Sequence, residues 1–535
     1  MKRWLYGMFG VAMCCAGCKN MNKTPDLPES PIVIVYENDA HCAVDGYARL
    51  VALREEQRKT TPYVSTVSCG DFVQGDLVGI ASQGECIVDI MNHVGYDVVT
   101  FGNHEFDYGI KQLFHLMDKM EAPVVSANFR DIRTNQSVFP SYKIVSYGDT
   151  DVAFIGFTTT TTPNNTSPST YRDEEGNLIY DFSKEEFYEY AQSQIDAARA
   201  EGADYVIALS HLGDVPSEDH PTSLSLIAHT KGLNAVLDGH SHSVIPLKLV
   251  PNIEGDSILL TSNGFKFQNI GLLTIDTEGK FTCSLNKPQA MDETTKAFVD
   301  DIKKRIIEPG AQVIATSDVR LAAEDFFGNK PVRRQEMPIG NLCADAFRQV
   351  LNADVAMLNG GGIRGNLRRG EVTHNNLLSI LPFGNMACTA TLTGQQLADA
   401  LECSVRLMPA ENGSFMQVSG IKFDVDTTLP SPVVLDKSGL YSHITDAPRR
   451  VSHIYIKNKE NGKYEPLNPE KNYTLASFDY LLKKLGGDGV FRHTTLTGDN
   501  LMLDVDVLDT YIKQALGGHI GSPYDKAEGR IVISE

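Results

Sequence analysis

Side chains of metal-ligating type recur in the N-terminal half of the chain, each at the end of a β-rich run. Asp39 and His41 follow residues 32–36, and Asp71 follows residues 64–68. The others are Asn103 after residues 97–101, His211 after 205–209, and His240 and His242 after 235–237. The carboxyl ends of strands in an open α/β sheet face one crevice, so this pattern predicts that all seven side chains converge.

These residue types suit a pair of divalent cations. Two cations about 3.5–4 Å apart need a bridging carboxylate, nitrogen and oxygen ligands, and open positions for water and substrate. Asp71 is the natural bridge, and mixed imidazole and carboxylate ligands favour zinc or manganese over calcium or magnesium. One D-x-H or G-H-x-H fragment occurs often by chance, whereas five fragments that each close a strand indicate a two-metal site.

The elements that must position these residues belong to an α/β domain. From residue 31 to about 276, short β-rich runs alternate with helical stretches such as 85–94. A charged helical segment then ends at Pro309 and Gly310, and glycine-rich turns follow at 359–362 and 486–489. We predict a first domain over residues 31–290, a connector helix over 291–310 and a second α/β domain over 311–535.

The first residues are typical of an export signal. Lys2 and Arg3 precede a short apolar run, and Ala16, Gly17 and Cys18 resemble the bacterial lipobox. This predicts a signal peptide over residues 1–17, lipidation of Cys18 and a tether over 18–30; an ordinary cleaved signal peptide is the alternative. The protein would be exported and lipid-anchored, in the periplasm or at the outer membrane or cell surface of a Gram-negative bacterium.

Charge and cysteine content narrow the class of protein further. The formal net charge of −20 argues against binding to a nucleic-acid polymer, although a metal or a local arginine cluster can still hold a small anion. Apart from Cys18, seven cysteines lie outside the predicted signal peptide, and among these seven there is no C-x-x-C pair and no evident disulfide framework. We therefore expect membrane contact only through the N-terminal lipid anchor, and no obligate protein partner.

Several sequence fragments carry a family resemblance. ENDAH, CGDF, GNHEFDYG, SHLG and DGHSH resemble the motifs of calcineurin-like metallophosphoesterases. NGGGIRG, LPFGN and GGDG are similar to the C-terminal domain of the bacterial 5′-nucleotidase and UDP-sugar hydrolase family. The resemblance covers residues 32 to about 533, and it implies a four-layer α/β/β/α sandwich followed by a second α/β domain.

The resemblance also implies roles for the residues of the metal site. It assigns Asp39, His41 and His242 to one cation, and Asn103, His211 and His240 to the other. A catalytic pair would complete the site: His104 would stabilise the developing charge or protonate the leaving oxygen, and Asp107 would orient its imidazole. Without that role, Asp107 would be an ordinary carboxylate at the start of a helix.

The family's second domain binds the substrate. By resemblance, Arg364 and Arg368 contact phosphate, with Arg369 as an alternative to Arg368. The nucleobase would lie between Phe415 and Tyr480, with Phe478 as the alternative to Tyr480, and Asp488 would accept a hydrogen bond from a ribose hydroxyl. The competing interpretations are a solvated arginine cluster, core aromatic side chains and a turn-capping aspartate.

The activity implied by the resemblance is removal of phosphate from nucleoside 5′-monophosphates by in-line attack of a water activated by two metals. UDP-sugars and nucleoside di- and triphosphates are further candidate substrates. The alternatives are a 2′,3′-cyclic-nucleotide 2′-phosphodiesterase with 3′-nucleotidase activity and, more remotely, a catalytically silent binding lipoprotein.

Overall fold

The computed structural model describes residues 25–173, 175–437 and 439–534. The predicted signal peptide, Cys18 and most of the predicted tether lie outside the described residues. Within the described ranges, none of the helices has the length and apolar character needed to cross a membrane.

The first domain is built on two mixed sheets. Its strands are β1 Ile32–Glu37, β2 Val64–Ser68, β3 Val98–Val99, β4 Arg130–Asp131, β5 Gln136–Ser137, β6 Tyr142–Tyr147, β7 Thr150–Thr158, β8 Tyr180–Asp181, β9 Tyr205–His211, β10 Ala235–Asp238, β11 Val244–Pro251, β12 Ser257–Asn263, β13 Ile270–Ile275 and β14 Phe281–Asn286. One sheet has the order β14-β13-β1-β2-β3 and the other β11-β12-β10-β9-β7-β6. β1, β2 and β3 are parallel, as are β7, β9, β10 and β12, so their carboxyl ends lie at one edge of each sheet.

Helices cover the outer faces of the two sheets. They are α1 Asp45–Gln57, α2 Leu77–Ser82, α3 Glu85–Val94, α4 Ile110–Lys119, α5 Thr162–Asn165, α6 Phe187–Glu201, α7 Ser223–His229 and α8 Glu293–Ile307. Side chains alternate along each strand, so one strand contributes to two apolar layers. In β1, Ile34 packs between the sheets with Ile207 of β9, whereas Val33 packs outward in the cluster that contains Ile90 of α3. The layer order is α/β/β/α, as predicted.

The second domain is a further α/β unit. Its strands are β15 Val313–Ser317, β16 Val355–Asn359, β17 Gly370–Thr373, β18 Ala387–Thr393, β19 Met416–Ser419, β20 Ile421–Asp426, β21 Val433–Leu435, β22 Tyr441–Ile444, β23 Val451–Lys457, β24 Tyr464–Pro466, β25 Asn472–Phe478, β26 Thr495–Gly498, β27 His519–Ile520 and β28 Ile531–Ser534. Its helices are α9 Pro338–Val350, α10 His374–Ile380, α11 Gly394–Ser404, α12 Asp479–Leu482 and α13 Asp504–Thr510. The sheet β19-β16-β25-β18-β26 is buried on both faces, because Met357 of β16 faces one apolar cluster and Leu358 the other.

The two domains meet on the side where the parallel strands of the first domain end. Ser167, in the loop after β7, donates a hydrogen bond from Oγ to the carbonyl oxygen of Lys484 at 2.8 Å. Helix α8 lies within the predicted connector, and its Val299 and Ile302 belong to the apolar cluster of the first domain. A cleft between the domains therefore lies beside the carboxyl ends of the strands.

Candidate metal centre and catalytic cleft

The structure brings the seven ligand-type side chains to one place. Asp39 follows β1, Asp71 follows β2, and Asn103 follows β3 in the first sheet. His211 ends β9, while His240 and His242 follow β10 in the facing sheet. The convergence has the cause expected from the sequence, because all these positions are at or just beyond the carboxyl ends of parallel strands.

The side chains form two groups that could each hold a metal ion. In one group, His242 Nε2 lies 3.4 Å from Asp39 Oδ1 and 3.0 Å from His41 Nε2. The other group contains Asp71, His211 and His240, and within each group the potential ligand atoms all lie within 4.8 Å of one another. The four histidines divide between the groups as the resemblance implied, and the assignment of ligands to each ion stays a prediction.

Asp71 lies between the two groups. Its Oδ2 is 3.0 Å from His211 Nε2 in its own group and 3.9 Å from His41 Nε2 in the other. Asp39 Oδ1 is likewise 3.8 Å from His211 Nε2. A carboxylate in this position can contact both ions of a closely spaced pair.

Asn103 lies beside the second group. A Cβ atom at the preceding Gly102 would be 2.5 Å from His211 Nε2 and closer still to Asp71 Oδ1, so the loop passes directly against these ligand atoms. Asn103 Oδ1 is buried without a hydrogen-bond partner, and His211 Nε2 lies against the Asp71 carboxylate. Buried polar atoms are normally satisfied, so an unsatisfied amide oxygen beside an imidazole nitrogen and a carboxylate fits a bound cation.

The histidine rings are held with Nε2 toward the site. Nδ1 of His41 lies 3.0 Å from the carbonyl oxygen of Gln74, and Nδ1 of His211 lies 2.7 Å from that of Cys69. A carbonyl oxygen can only accept, so each neutral ring carries its proton on Nδ1 and has its lone pair on Nε2.

The electrostatics of the cluster also fit a cation. Asp39 and Asp71 are almost fully buried, and among the described residues neither forms an ion pair with lysine or arginine. Burial lowers the pKa of His211, but Asp71 and Asp39 outweigh it and raise this pKa to about 10. Two buried carboxylates thus demand positive charge, which a proton or a metal ion can supply.

The backbone is unusual at the same residues. Asp39, His41, Asp71, His240 and His242 have φ values of 51°, 41°, 59°, 75° and 55°. The left-handed region costs a non-glycine residue about 1–3 kcal/mol and persists where the surroundings impose it, commonly at functional sites. The ligand loops therefore adopt conformations that aim side chains at the cleft at some expense of stability.

One residue that the sequence did not single out ties these loops together. The buried carboxylate of Glu105 accepts hydrogen bonds from the backbone N–H groups of Asp71, Phe72, Val73 and Gly102, at 2.7–3.2 Å. It thus links the loop after β2 to the loop after β3. Its position inside the GNHEFDYG fragment was the available signal, but a glutamate there has no chemistry that spacing alone reveals.

The predicted catalytic pair is formed in the structure. His104 Nδ1 lies 2.7 Å from Asp107 Oδ2, and the backbone N–H of His104 donates to Asp71 Oδ1 at 2.9 Å. Burial lowers the pKa of His104, but Asp107 and Asp71 outweigh it and raise this pKa to about 9. The imidazole is therefore fixed next to the metal-ligand cluster.

The second domain contributes a partly buried cation to the same cleft. Arg364 follows β16 and the glycine-rich turn, and its guanidinium lies 5.2 Å from the centre of the Phe383 ring. Its Nε is buried without a hydrogen-bond partner. Burial lowers the pKa of Arg364, and Asp107 of the first domain is the strongest opposing influence. Arg364 thus faces the catalytic pair across the cleft.

Arg333 is a second cleft arginine, which the sequence did not indicate. Burial and the neighbouring Arg364 lower the pKa of Arg333 to about 10. Two guanidinium groups in such proximity suit an anion between them. Arg368 and Arg369 are instead exposed, and Arg369 Nη2 lies 4.0 Å from Asp525 Oδ1 on the surface.

The predicted aromatic residues differ in their surroundings. Phe415 and Phe478 are fully buried in apolar clusters, and the Phe478 ring lies 5.0 Å from that of Phe347. Tyr480 is only partly buried, and burial, Asp488 and then Asp107 raise its pKa to about 12. Asp488 Oδ2 accepts a hydrogen bond from Arg406 Nε at 2.7 Å. Their roles in substrate binding stay predictions.

Comparisons with known proteins define the class. A family described as "Calcineurin-like phosphoesterase" matches residues 32–244, and one described as "5′-nucleotidase, C-terminal domain" matches residues 313–495. The fold and site are thus those of a metallophosphoesterase, which uses divalent metal ions.

Individual proteins resemble this chain over both domains. The 5′-nucleotidase of Bos taurus is 28% identical over 541 residues, which cover 93% of this chain and 87% of that protein. The trifunctional nucleotide phosphoesterase protein YfkN of Bacillus subtilis (strain 168) is 26% identical over 95% of this chain, which spans only 36% of YfkN. The crystal structure of a 5′-nucleotidase precursor from Thermus thermophilus superposes with a TM-score of 0.68 at 26% identity, covering 94% of this chain and 99% of that one.

The chain belongs to the 5′-nucleotidase family of calcineurin-like phosphoesterases and is a phosphoric ester hydrolase. The predictions of family and enzyme class are confirmed.

Proposed function

We propose that the protein removes phosphate from nucleoside 5′-monophosphates, with UDP-sugars and nucleoside di- and triphosphates as further substrates. One observation supports this most: two metal-ligand groups, the His104–Asp107 pair and Arg364 line a single cleft between the domains. The residues that would hold metals for phosphoryl chemistry and the guanidinium that would bind phosphate therefore lie in the same cleft.

The metal-binding residues keep their predicted assignment in this proposal. Asp39, His41 and His242 would hold one ion, Asn103, His211 and His240 the other, and Asp71 both. Zinc or manganese suits the nitrogen-rich ligand set. When bound, such a pair would lower the pKa of a water molecule and neutralise charge on the phosphoryl oxygens.

In this proposal the remaining residues bind the substrate and protonate the leaving group. Arg364 and Arg333 would hold phosphate oxygens, because a guanidinium matches them with parallel N–H donors. Asp107 occupies Nδ1 of His104, so Nε2 is free to donate a proton to the 5′-oxygen as the P–O bond breaks. Tyr480 would stack on the base, with Phe415 on its other side and Asp488 near the ribose after local rearrangement.

We also propose that the protein is exported and anchored by a lipid on Cys18. The lipobox-like sequence at residues 16–18 supports this. An active site that faces solvent outside the cytoplasm would act on extracellular or periplasmic nucleotides.

The 2′,3′-cyclic phosphodiesterase is the second candidate activity. The description of the relative YfkN as a trifunctional nucleotide phosphoesterase supports it. A silent binding protein is a weaker alternative, because the two ligand groups and the His104–Asp107 pair are all assembled.

The direct test compares AMP, UDP-glucose and 2′,3′-cyclic AMP as substrates of the full chain supplied with zinc or manganese. We expect phosphate release from AMP that EDTA abolishes. Asp71→Asn should lose both activity and metal uptake, measured by elemental analysis. If the protein hydrolyses 2′,3′-cyclic AMP but neither AMP nor UDP-glucose, the second candidate activity is favoured. If the metal-loaded protein hydrolyses none of the three substrates, the proposal that it is a catalyst is contradicted.

A second variant separates metal binding from chemistry. His104→Asn should keep both metals and lower kcat for AMP by about 100-fold or more, the usual contribution of a general acid. Unchanged kcat would refute the role of His104.

A further inference from the structure

The surface of the first domain carries an apolar patch that the proposed activity does not use. Leu27, Leu247, Leu249 and Ile253 are 56, 48, 59 and 63% exposed. Large apolar side chains that lie together in solvent mark an interaction surface. We name these four residues the basal patch.

Two members of the basal patch line a groove. Leu247 and Leu249 of β11 border a space of about 650 Å³ together with Asn252, which precedes Ile253, and with Phe281 of β14. Charged side chains also line it, namely Arg199, Asp256 and Lys280. The groove thus opens between the edge strands of the two sheets. Leu27 lies close by, because a Cβ atom at Gly279, in the turn before β14, would be 3.1 Å from Leu27 Cδ2.

The basal patch is at the opposite edge of the sheets from the metal cluster. β11 is antiparallel to β12, and its last residue, Pro251, pairs with Ser257, the first residue of β12. β12 is parallel to β10, whose carboxyl end carries His240 and His242. The turn that holds Ile253 therefore lies at the amino-terminal edge, whereas the metal ligands lie at the carboxyl edge.

The N-terminal segment reaches the domain at this same edge. The backbone N–H of Asp26 donates to Asp204 Oδ1 at 3.0 Å, and Thr150 Oγ1 donates to the carbonyl oxygen of Asp26 at 3.2 Å. Asp204 directly precedes β9, and Thr150 is the first residue of β7. Asp26 is thus fixed at the amino-terminal ends of two parallel strands.

The distance from Asp26 to the proposed lipid is short. Cys18, outside the described residues, precedes Asp26 by eight positions. Eight residues span at most about 28 Å even when fully extended. A lipid on Cys18 would consequently hold the amino-terminal edge of the sheets close to the membrane.

We infer that the basal patch is the surface on which this protein lies against the lipid bilayer; the inference rests on the proposed anchor at Cys18. Apolar side chains of peripheral proteins enter about 5–10 Å into the boundary between headgroups and acyl chains. In this orientation the metal cleft faces away from the membrane and is open to dissolved nucleotides. A second copy of the chain could instead cover the edge strand β11, but the short tether favours lipid.

Tryptophan fluorescence can test the orientation. The only tryptophan of the sequence, Trp4, lies in the predicted signal peptide, so the lipidated protein would have no tryptophan background. Leu249→Trp and Ile253→Trp would be placed singly in the full lipidated protein, reconstituted in phosphatidylcholine vesicles with brominated acyl chains. Leu407→Trp is the matched control, since Leu407 is also exposed but belongs to the second domain, which meets the first domain beside the carboxyl ends of its parallel strands.

We expect bromolipid to quench the tryptophan at 249 or 253 at least threefold more than the one at 407. Equal quenching at all three positions in protein whose lipid is verified by mass spectrometry would overturn the membrane-facing surface alone. An unmodified Cys18 would overturn both the anchor and the surface.

Two further measurements separate the remaining outcomes. The first introduces Leu249→Asp both into unlipidated Cys18→Ser protein, where oligomeric state is measured, and into lipidated Ile253→Trp protein, where vesicle quenching is measured. If the substitution converts dimers into monomers and leaves the quenching unchanged, the patch is a contact between copies and the inference is wrong. AMP hydrolysis by the reconstituted protein should equal that of Cys18→Ser protein. Strong basal quenching without any hydrolysis would support the surface while contradicting the proposed catalysis.

Discussion

Replacement of Glu105 by glutamine tests whether its hydrogen bonds shape the metal centre. Oε1 of Glu105 accepts from the N–H groups of Phe72 and Val73, and Oε2 accepts from those of Asp71 and Gly102. Glutamine has nearly the same size, but only one of its two terminal atoms can accept. Its amide NH₂ must therefore face one pair of N–H donors.

The expected loss of stability follows from these contacts. Two hydrogen bonds to a charged acceptor contribute about 1.5–3 kcal/mol each, so their loss would cost about 3–6 kcal/mol. Burial, together with Asp71, raises the pKa of Glu105 to about 7, which shows that the buried charge is itself unfavourable. Removing that charge therefore offsets part of the lost hydrogen-bond energy. We expect Glu105→Gln to lower the free energy of unfolding by about 2–4 kcal/mol.

Glu336 provides a matched control in the second domain. It is also buried, and its carboxylate accepts from the backbone N–H groups of Glu528, Arg530 and Ile531 and from Asn341 Nδ2. Glu336→Gln should lose similar stability. Metal affinity, measured by calorimetric titration below the unfolding temperature, should fall about tenfold or more for Glu105→Gln only, as for other residues that position metal ligands.

Two results would refute this reasoning. Wild-type metal affinity in a folded Glu105→Gln protein would show that the loops hold their positions without the carboxylate. An equal drop in affinity for Glu336→Gln would show that metal binding follows global stability instead of local geometry.

Three further predictions concern the cleft. Arg364→Ala should lower kcat/KM for AMP about 100-fold, which corresponds to the loss of about 2.7 kcal/mol of charged hydrogen bonding. Arg368→Ala should change kcat/KM less than twofold, because the Arg368 side chain is exposed. Tyr480→Ala should raise KM for AMP about tenfold and leave hydrolysis of p-nitrophenyl phosphate unchanged, because only the base stacks on this ring. Phe478→Ala should mainly destabilise the fold, by about 3–5 kcal/mol in chemical denaturation. EDTA should lower the melting temperature of the wild type but not of Asp71→Asn, since a ligand that binds only the native state stabilises it; equal shifts for both proteins would place the stabilising metal elsewhere.

The convergence of the metal ligands could be predicted from the sequence because it follows from a local rule. His211 and His240 are far from Asp39 in sequence, yet each terminates or follows a buried parallel strand. The same rule applies to every such strand, so the contact between distant residues needed no knowledge of their packing. The four layers also follow from strands that are apolar on both faces, which require cover on each side.

The substrate-binding half of the cleft could not be predicted equally well. Phe478 and Tyr480 are two residues apart, and both are aromatic. Only packing distinguishes them, because Phe478 lies against Phe347 in the core while Tyr480 is partly exposed toward Asp107 and Arg364. Arg333 and Arg368 likewise differ in burial and not in chemistry.

The sequence by itself determined the residue types of the metal centre, the order of its loops and the α/β class, because these depend on local periodicity and on strand ends. Tertiary structure alone decided how those loops are held. The four N–H groups bound by Glu105, the left-handed backbone at the ligand residues and the placement of the basal patch opposite the cleft all arise from contacts between segments distant in sequence. Such contacts depend on the shape of the packed chain, to which no single stretch of sequence gives access.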